Sequence, residues 1–346
     1  NKFLSAKDPA AKTQHFTDVK TPFTVKGTST YTLGSVGDVY LKADGNITLA
    51  SLNGNNVSIN AREGSLRPVI PNALNIIGRR IDYYGDLNTG LGFRTFGTSQ
   101  AEGGLHWHGG SSQDVKYRAY NTAYTFWFVQ ENGPDSIGSV DIGYSGHLVV
   151  EGLPEEIRSA SFSQENGKMG LNVLEINGEH TFSEGLAFGG EAPYTILAPE
   201  LLTIGGGSPL AIGGDAAFRM AGIQTADGSA IRLRGTGNLA FSGYTADSAC
   251  EFRNALVIDS PGDIEFAGPV TFADSLTITG AGDRTIRSAR MMTFISGADI
   301  NVDGNVSLQL AGIESVDGSP VRLRSTGKNK CEHGADSFIV QRIAVP

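Results

Sequence analysis

The chain has 346 residues, with 27 Lys and Arg against 36 Asp and Glu, a net charge of −9. No Lys or Arg cluster interrupts that acidity, which excludes nucleic acid or an anionic membrane as the main partner. Charged residues are only 18%, while Gly supplies 46 positions without a three-residue period, which excludes collagen and points to many turns and close backbone approaches. The longest apolar runs, such as Phe126-Trp127-Phe128-Val129, fall far short of the roughly 20 residues that a membrane-crossing helix needs.

Residues 1–35 hold two prolines and no sustained apolar period, and read as an attachment segment. The chain opens Asn1-Lys2-Phe3 without Met, as a processed chain or a piece of a longer one does. From Gly37 a pattern sets in. Gly37 to Asp44 and Gly45 to Leu52 are two octads, each carrying an apolar-x-apolar pair, Val39 with Leu41 and Ile47 with Leu49. Residues two apart on a strand face one side, and strands this short cannot bury a core within one hairpin. They must stack on copies, coil on coil or chain on chain. Residues 36–90 are therefore expected to form a β-helical shaft and junction, the junction marked by Arg67-Pro68, Ile70-Pro71 and Tyr84-Gly85-Asp86.

Residues 91–152 hold both tryptophans and many other aromatics. The alternation in Tyr124-Thr125-Phe126-Trp127-Phe128, punctuated by Asn132-Gly133-Pro134, predicts a compact antiparallel β meander. Helical periodicity is weak everywhere; Pro154 to Arg158 reads as a turn and Ala289 to Phe294 as a short helical candidate.

The second half is duplicated. Shifting residues 174–237 forward by 90 positions lays them on 264–327 with 22 identities in 64 positions. The matched groups include Ala221-Gly222-Ile223, Asp227-Gly228-Ser229, Arg232-Leu233-Arg234 and Thr236-Gly237. Repeated all-β units build length and surface, whereas an enzyme needs one asymmetric cleft. Residues 153–258 and 259–346 are expected to be two β modules. Cys250 and Cys331 are 81 apart, which suits equivalent segments with a nine-residue deletion. With no CxxC or zinc spacing, both read as free thiols.

The octads at Gly37 to Leu52, together with Leu91-Gly92-Phe93-Arg94, Gly104-Leu105-His106-Trp107-His108, Phe126-Trp127-Phe128 and Gly146-His147-Leu148-Val149-Val150-Glu151-Gly152, resemble the trimeric tail fibres and spikes of tailed bacteriophages. The likeness covers residues 36–152 directly and the duplicated half in style. It implies an elongated all-β homotrimer located on the virion tail. The implied partners are other phage tail proteins and a host surface glycan or outer-membrane protein. Short strands support an assembly independently, because unpaired edges aggregate unless coiling or trimerisation closes them.

His106 and His108 would point to one side of a strand and Trp107 to the other. On a threefold axis they would supply six nitrogens, a set that suits an octahedral transition metal, and fibre tips of the family use His-x-His in this way. The departure is that tip motifs recur in series and this chain has one; the other reading is an exposed or stacked strand pair. No further cofactor is expected.

Trp107, Tyr120 and Trp127 are the candidates for glycan or receptor contact, since ring faces stack on sugar C–H surfaces; the competing role for this aromatic section is a domain core. The Arg-Leu-Arg pairs at 232–234 and 322–324 form donor rows for acidic glycans or for Asp227 and Asp317, or serve each module structurally. For glycan cleavage the available carboxylates are Glu155 with Glu156, Asp259 with Asp263, and Glu251, at no diagnostic spacing. The sequence thus favours a non-enzymatic structural and receptor-binding fibre. A surface adhesin built as a single-chain parallel β-helix and a tailspike glycan hydrolase or lyase are the alternatives.

Overall fold

The structure, a computed structural model, describes backbone strands between Gln14 and Arg342 and side chains at Phe128, 137–144, 146–164, 172–190, 193–280 and 282–327. Every strand pairing it gives is parallel, and no helix occurs among the described residues. The fold is an all-β parallel solenoid. It divides into two units, Asn1–Ile157 with Phe162–Asn172, and Arg158–Ser161 with Val173–Pro346.

In the first unit, Phe23 pairs with Ile47, Ile47 with Leu74 and Leu74 with Phe93. The octad strands therefore stack on later passes of the same chain. Residues 91–152 do not form an antiparallel meander. Gly104–His108 runs parallel to Val115–Glu131, with Leu105 against Phe128, and Val115–Glu131 runs parallel to Ser136–Glu151, with Val115 against Val140. Alternation with period two reveals a strand but not its direction. The Asn132-Gly133-Pro134 break precedes a strand whose partner residues lie a full coil away in sequence.

The second unit winds through about eight turns, each passing over three faces. On the first face Tyr194, Ala216, Leu239, Ile264, Ile286 and Leu308 stack one above another, separated by 22, 23, 25, 22 and 22 residues. Coils of unequal length hide this period from a simple scan. The strand Arg284–Phe294 covers two faces with a register break between Ser288 and Met291, so Ala289 to Phe294 is strand and not helix. Its pattern of buried side chains at Ile286, Met292 and Phe294 is that of a strand lining a core.

That core is a continuous aromatic stack. Phe218 stacks on Phe241 at 5.2 Å and Phe241 on Phe266 at 5.9 Å along the first face. Phe252, Phe272 and Phe294 form a second column, at 5.3 and 4.8 Å, and the columns meet edge to face through Phe241–Phe252 and Phe266–Phe272. Offset and edge contacts of this kind add about 0.5–1.5 kcal/mol per pair beyond area burial. The apolar faces are thus covered by neighbouring coils of one chain.

The 90-residue repeat is four coils. Climbing four coils up the second face, Leu202, Ile223, Phe252, Phe272 and Phe294, advances 294 − 202 = 92 residues. The copies are therefore offset by two residues within each face. Because the slip is even, the apolar strand positions buried in one copy are buried in the other. The residues kept in both copies include a set of corner residues. Thr236 Oγ1 accepts the Gly214 N–H at 2.8 Å, and its equivalent Thr326 accepts the Gly304 N–H at 3.0 Å. The next residue, Gly237 or Gly327, lies on that lower glycine so closely that a Cβ would sit 2.5 Å or less from its backbone. The Asp-Gly-Ser turns also match: Asp227 and Asp317 accept the Ser229 and Ser319 N–H groups at 3.0 and 2.9 Å.

Two stability outcomes follow from this packing. Phe241→Ala removes the ring shared by three aromatic contacts and should cost about 3–5 kcal/mol in urea denaturation. Gly262→Ala would place a methyl 2.3 Å from the Gly237 carbonyl oxygen and should cost about 1–3 kcal/mol. Gly185→Ala, where nothing lies within 4 Å, should leave the denaturation midpoint close to that of the parent; equal behaviour of the two glycine variants would remove the close-approach argument.

Candidate functional site

The best-defined surface feature lies where the third face, which carries the column Leu210, Leu233, Ile258, Ile278 and Val302, turns into the first. At this corner Asp215, Asn238 and Asp263 stand one coil apart, each placed by a preceding glycine. Asp215 Oδ1 accepts the Asn238 N–H at 2.7 Å, Asn238 Oδ1 accepts the Asp263 N–H at 2.8 Å, and Asp263 Oδ1 accepts the Thr285 N–H at 2.7 Å. The result is a polar wall climbing the solenoid. Side-chain oxygens here satisfy backbone donors that the corner takes out of the strand ladder. Asn305 continues the theme, donating from Nδ2 to Asp283 Oδ1 at 2.8 Å.

Beside the wall lies a shallow open recess of about 370 Å³, lined by Tyr194, Thr195, Asp215, Ala217, Asn238 and Ala240 and ending at Glu265 and Arg287. Its floor is the column Thr195, Ala217, Ala240, one small side chain per coil. A second recess of about 350 Å³ shares Asp263 and is lined by Asp283, Arg284, Thr285, Asn305, Val306 and Ser307.

Each recess is anchored from beneath. Tyr194 is buried and its Oη donates to the Gly213 carbonyl at 2.8 Å; burial, partly offset by that bond, pushes the phenol well above its ordinary value. Arg284, at the equivalent position 90 residues on, is 3% exposed. Its Nη1 donates to the carbonyls of Ser260 and Thr279 at 2.9 and 2.6 Å, and its Nη2 to Gly280. Burial pulls this guanidinium below its ordinary value, while Asp303 and Asp259 act in the opposite sense. In both copies, then, a long polar side chain holds the carbonyls of the corner.

A third feature is the extension of residues 243–249, which lengthens one coil between Leu239–Ser242 and Cys250–Phe252. Reciprocal hydrogen bonds between Thr245 and Ser248 brace it. Tyr244 remains 36% exposed, and burial first, then the Glu175 and Glu200 carboxylates, raise its phenol above the ordinary value.

The residues singled out by sequence are dispersed. His106, Trp107 and His108 fall in the strand Gly104–His108, and Tyr120 and Trp127 in Val115–Glu131; their side chains lie outside the described residues. Arg234 and Arg324 do not pair with Asp227 and Asp317. Their partners are Asp259 at 4.0 Å and Asp299 at 3.2 Å, which stand on the adjacent coil of the same face. Coil neighbours lie closer to a strand's outward side chains than the turn that precedes it.

The proposed cleavage carboxylates fall in both units, and those of the second unit stand on different parts of its coils. Glu155 and Glu156 are exposed in the first unit, Glu251 is on the second face of the other unit with Arg253 at 3.0 Å, Asp259 is on the third face, and Asp263 is in the corner wall. Cys250 is free and buried on the second face, whereas Cys331 lies in a first-face strand against Leu308, so the two cysteines are not equivalent. Among the described residues no group of three or more His, Cys, Asp or Glu is placed to hold a metal ion.

The sequence reading missed the wall, although its signal was present: Gly214-Asp215, Gly237-Asn238, Gly262-Asp263, Gly282-Asp283 and Gly304-Asn305 recur once per coil. Comparison with protein-family models, with curated proteins and with solved structures found no match in any of the three.

Burial, and secondarily Glu251, push the Cys250 thiol up to about 12 from its ordinary 9.0. The unfolded chain therefore loses this proton first as pH rises, so the stabilisation is complete below about pH 9 and declines towards pH 12. Urea denaturation across that window should show a steeper loss for the parent than for Cys250→Ala, and the native thiol should resist alkylation at pH 8. A thiol that reacts at the rate of a free cysteine would contradict its placement.

Proposed function

We propose that this chain is a structural and receptor-binding component of a phage tail fibre, acting in host-surface attachment without catalysis. The observation that carries the reading is a solenoid lengthened by copying four coils, with long shallow polar recesses on its surface. Such a surface suits contact with an extended or flat partner, whereas catalysis favours different groups converging in a water-excluding cleft. Within the second unit Glu251, Asp259 and Asp263 stand on the second face, the third face and the corner wall, which weighs against the tailspike hydrolase or lyase. The virion tail is the proposed location, with other tail proteins at one end and a host glycan or outer-membrane protein as the target.

One observation favours a second form of the same role, a surface adhesin that works as a single chain. In the described part of the second unit the core closes by coiling, so burial of apolar strand faces does not by itself require sister subunits. The homotrimer of the fibre reading would instead be built through the outer faces, with His106 and His108 as its proposed transition-metal ligands and Trp107, Tyr120 and Trp127 as proposed receptor contacts.

Light scattering separates the two forms, since the fibre should run as three chains and the adhesin at 36.4 kDa. Adsorption to bacterial cells with no release of new reducing ends is the outcome expected of both. Time-dependent release of reducing ends from capsular or lipopolysaccharide preparations would overturn the non-enzymatic assignment.

A further inference from the structure

The two surface recesses are copies of one another. Pro193-Tyr194-Thr195 and Asp215-Ala216-Ala217 line the first, and their counterparts 90 residues on, Asp283-Arg284-Thr285 and Asn305-Val306-Ser307, line the second. Six of the seven residues lining the second recess are thus repeat equivalents of residues lining the first; only Asp263 stands outside the correspondence, and it borders both. Duplication has reproduced a set of surface positions and not merely a core, but displaced by two residues across the face: Thr285 and Ser307, the counterparts of the floor residues Thr195 and Ala217, continue the column of the wall residues Asp215, Asn238 and Asp263.

We propose that these recesses are paired subsites for one linear, neutral polysaccharide lying along the solenoid; the biological sense of this rests on the attachment reading above. Equivalent residues are four coils apart along the solenoid, about 19 Å at the usual strand spacing, and two residues, roughly 7 Å, apart across the face, so a chain reaching both runs at a slant to the stack. Each recess offers one small side chain per coil, Thr195, Ala217 and Ala240 in the first and Thr285 and Ser307 in the second, a spacing close to the length of a single pyranose unit. The wall offers carboxylate and amide groups, which take hydrogen bonds from vicinal hydroxyls.

Charge selects against an acidic polymer. Asp215, Asp263, Asp283 and Glu265 border the recesses, Arg287 lies 3.5 Å from Asp263, and the Arg284 guanidinium is committed to backbone carbonyls. A peptide is less suited, because adding a strand needs an unpaired sheet edge. The strands under these recesses pair with coils on both sides. Neither recess contains the deep apolar pocket that an anchoring side chain would fill.

Two subsites on one rigid frame make binding depend on ligand length. A chain long enough to reach both gains through effective concentration, which commonly multiplies affinity by about 10²–10⁴. The test uses unbranched neutral glucans and galactans in short and long fractions, with hyaluronate as the anionic control, measured by calorimetry. Ala217→Trp fills the first recess and Ser307→Trp the equivalent place in the second; both positions face outward, so melting temperatures should match the parent.

The expected result is that a long neutral chain binds the parent about a hundredfold more tightly than a short one, and that either single variant abolishes this advantage. Short fragments should fall from two bound per protein to one. The proposal is overturned if none of the neutral chains binds, if long and short chains bind alike, if hyaluronate binds as tightly, or if the double variant binds like the parent. Cell adsorption distinguishes the two levels: a double variant that still adsorbs fully removes the recesses but leaves attachment standing, whereas a parent that binds glucan and no cell surface removes attachment alone.

Discussion

The second unit depends on how closely one coil can lie on the next at its corners. Strand pairing fixes the separation of successive coils at about 4.8 Å, and the chain must turn three times per coil without exceeding that height. At the corner between the third and first faces it does so with glycine over glycine: Gly237 rests on Gly214 and Gly262 on Gly237, with no space for a methyl group. Everything else is arranged around this contact. The threonine preceding Gly237 ties down the amide of the coil below, and the Asx residue following each glycine supplies the lateral hydrogen bond.

Seen from these corners, the interior and the surface have different demands. Inside, the aromatic columns need only large apolar groups at alternate positions, and Phe, Leu, Ile and Met exchange freely between the copies at such sites. Outside, the wall needs a short side chain with an oxygen at a fixed place, which Asp215, Asn238 and Asp263 all provide. Anchoring tolerates a larger change, because Tyr194 and Arg284 reach corner carbonyls with different chemistry.

Much of this architecture was legible in the sequence, and its failures are instructive. The strand content, the stacking of the octads and the internal duplication all follow from spacing, because apolar alternation and glycine punctuation are local properties. Strand direction was not legible: Tyr124 to Phe128 alternates in the same way whether its neighbour is a hairpin partner or the next coil. Ala289 to Phe294 looked helical because Arg290 and Met291 break the alternation at a corner, where the strand bends from one face to the next. The wall stayed hidden because its Gly-Asx pairs recur at unequal intervals, set by loops that lengthen or shorten each coil. Nor could partners for Arg234 and Arg324 be inferred, since Asp259 and Asp299 come from registers that only the folded stack reveals.

The two-residue offset between the copies carries a consequence for how such a protein can change. Parity acts as a ratchet on insertions and deletions: a loss of two residues within a strand merely shifts a ridge sideways, but a loss of one would turn oily side chains outward for as long as the register error persisted. Lineages of this molecule should therefore vary freely in corner length, as the extension at 243–249 does, while their strands gain or lose residues only in pairs.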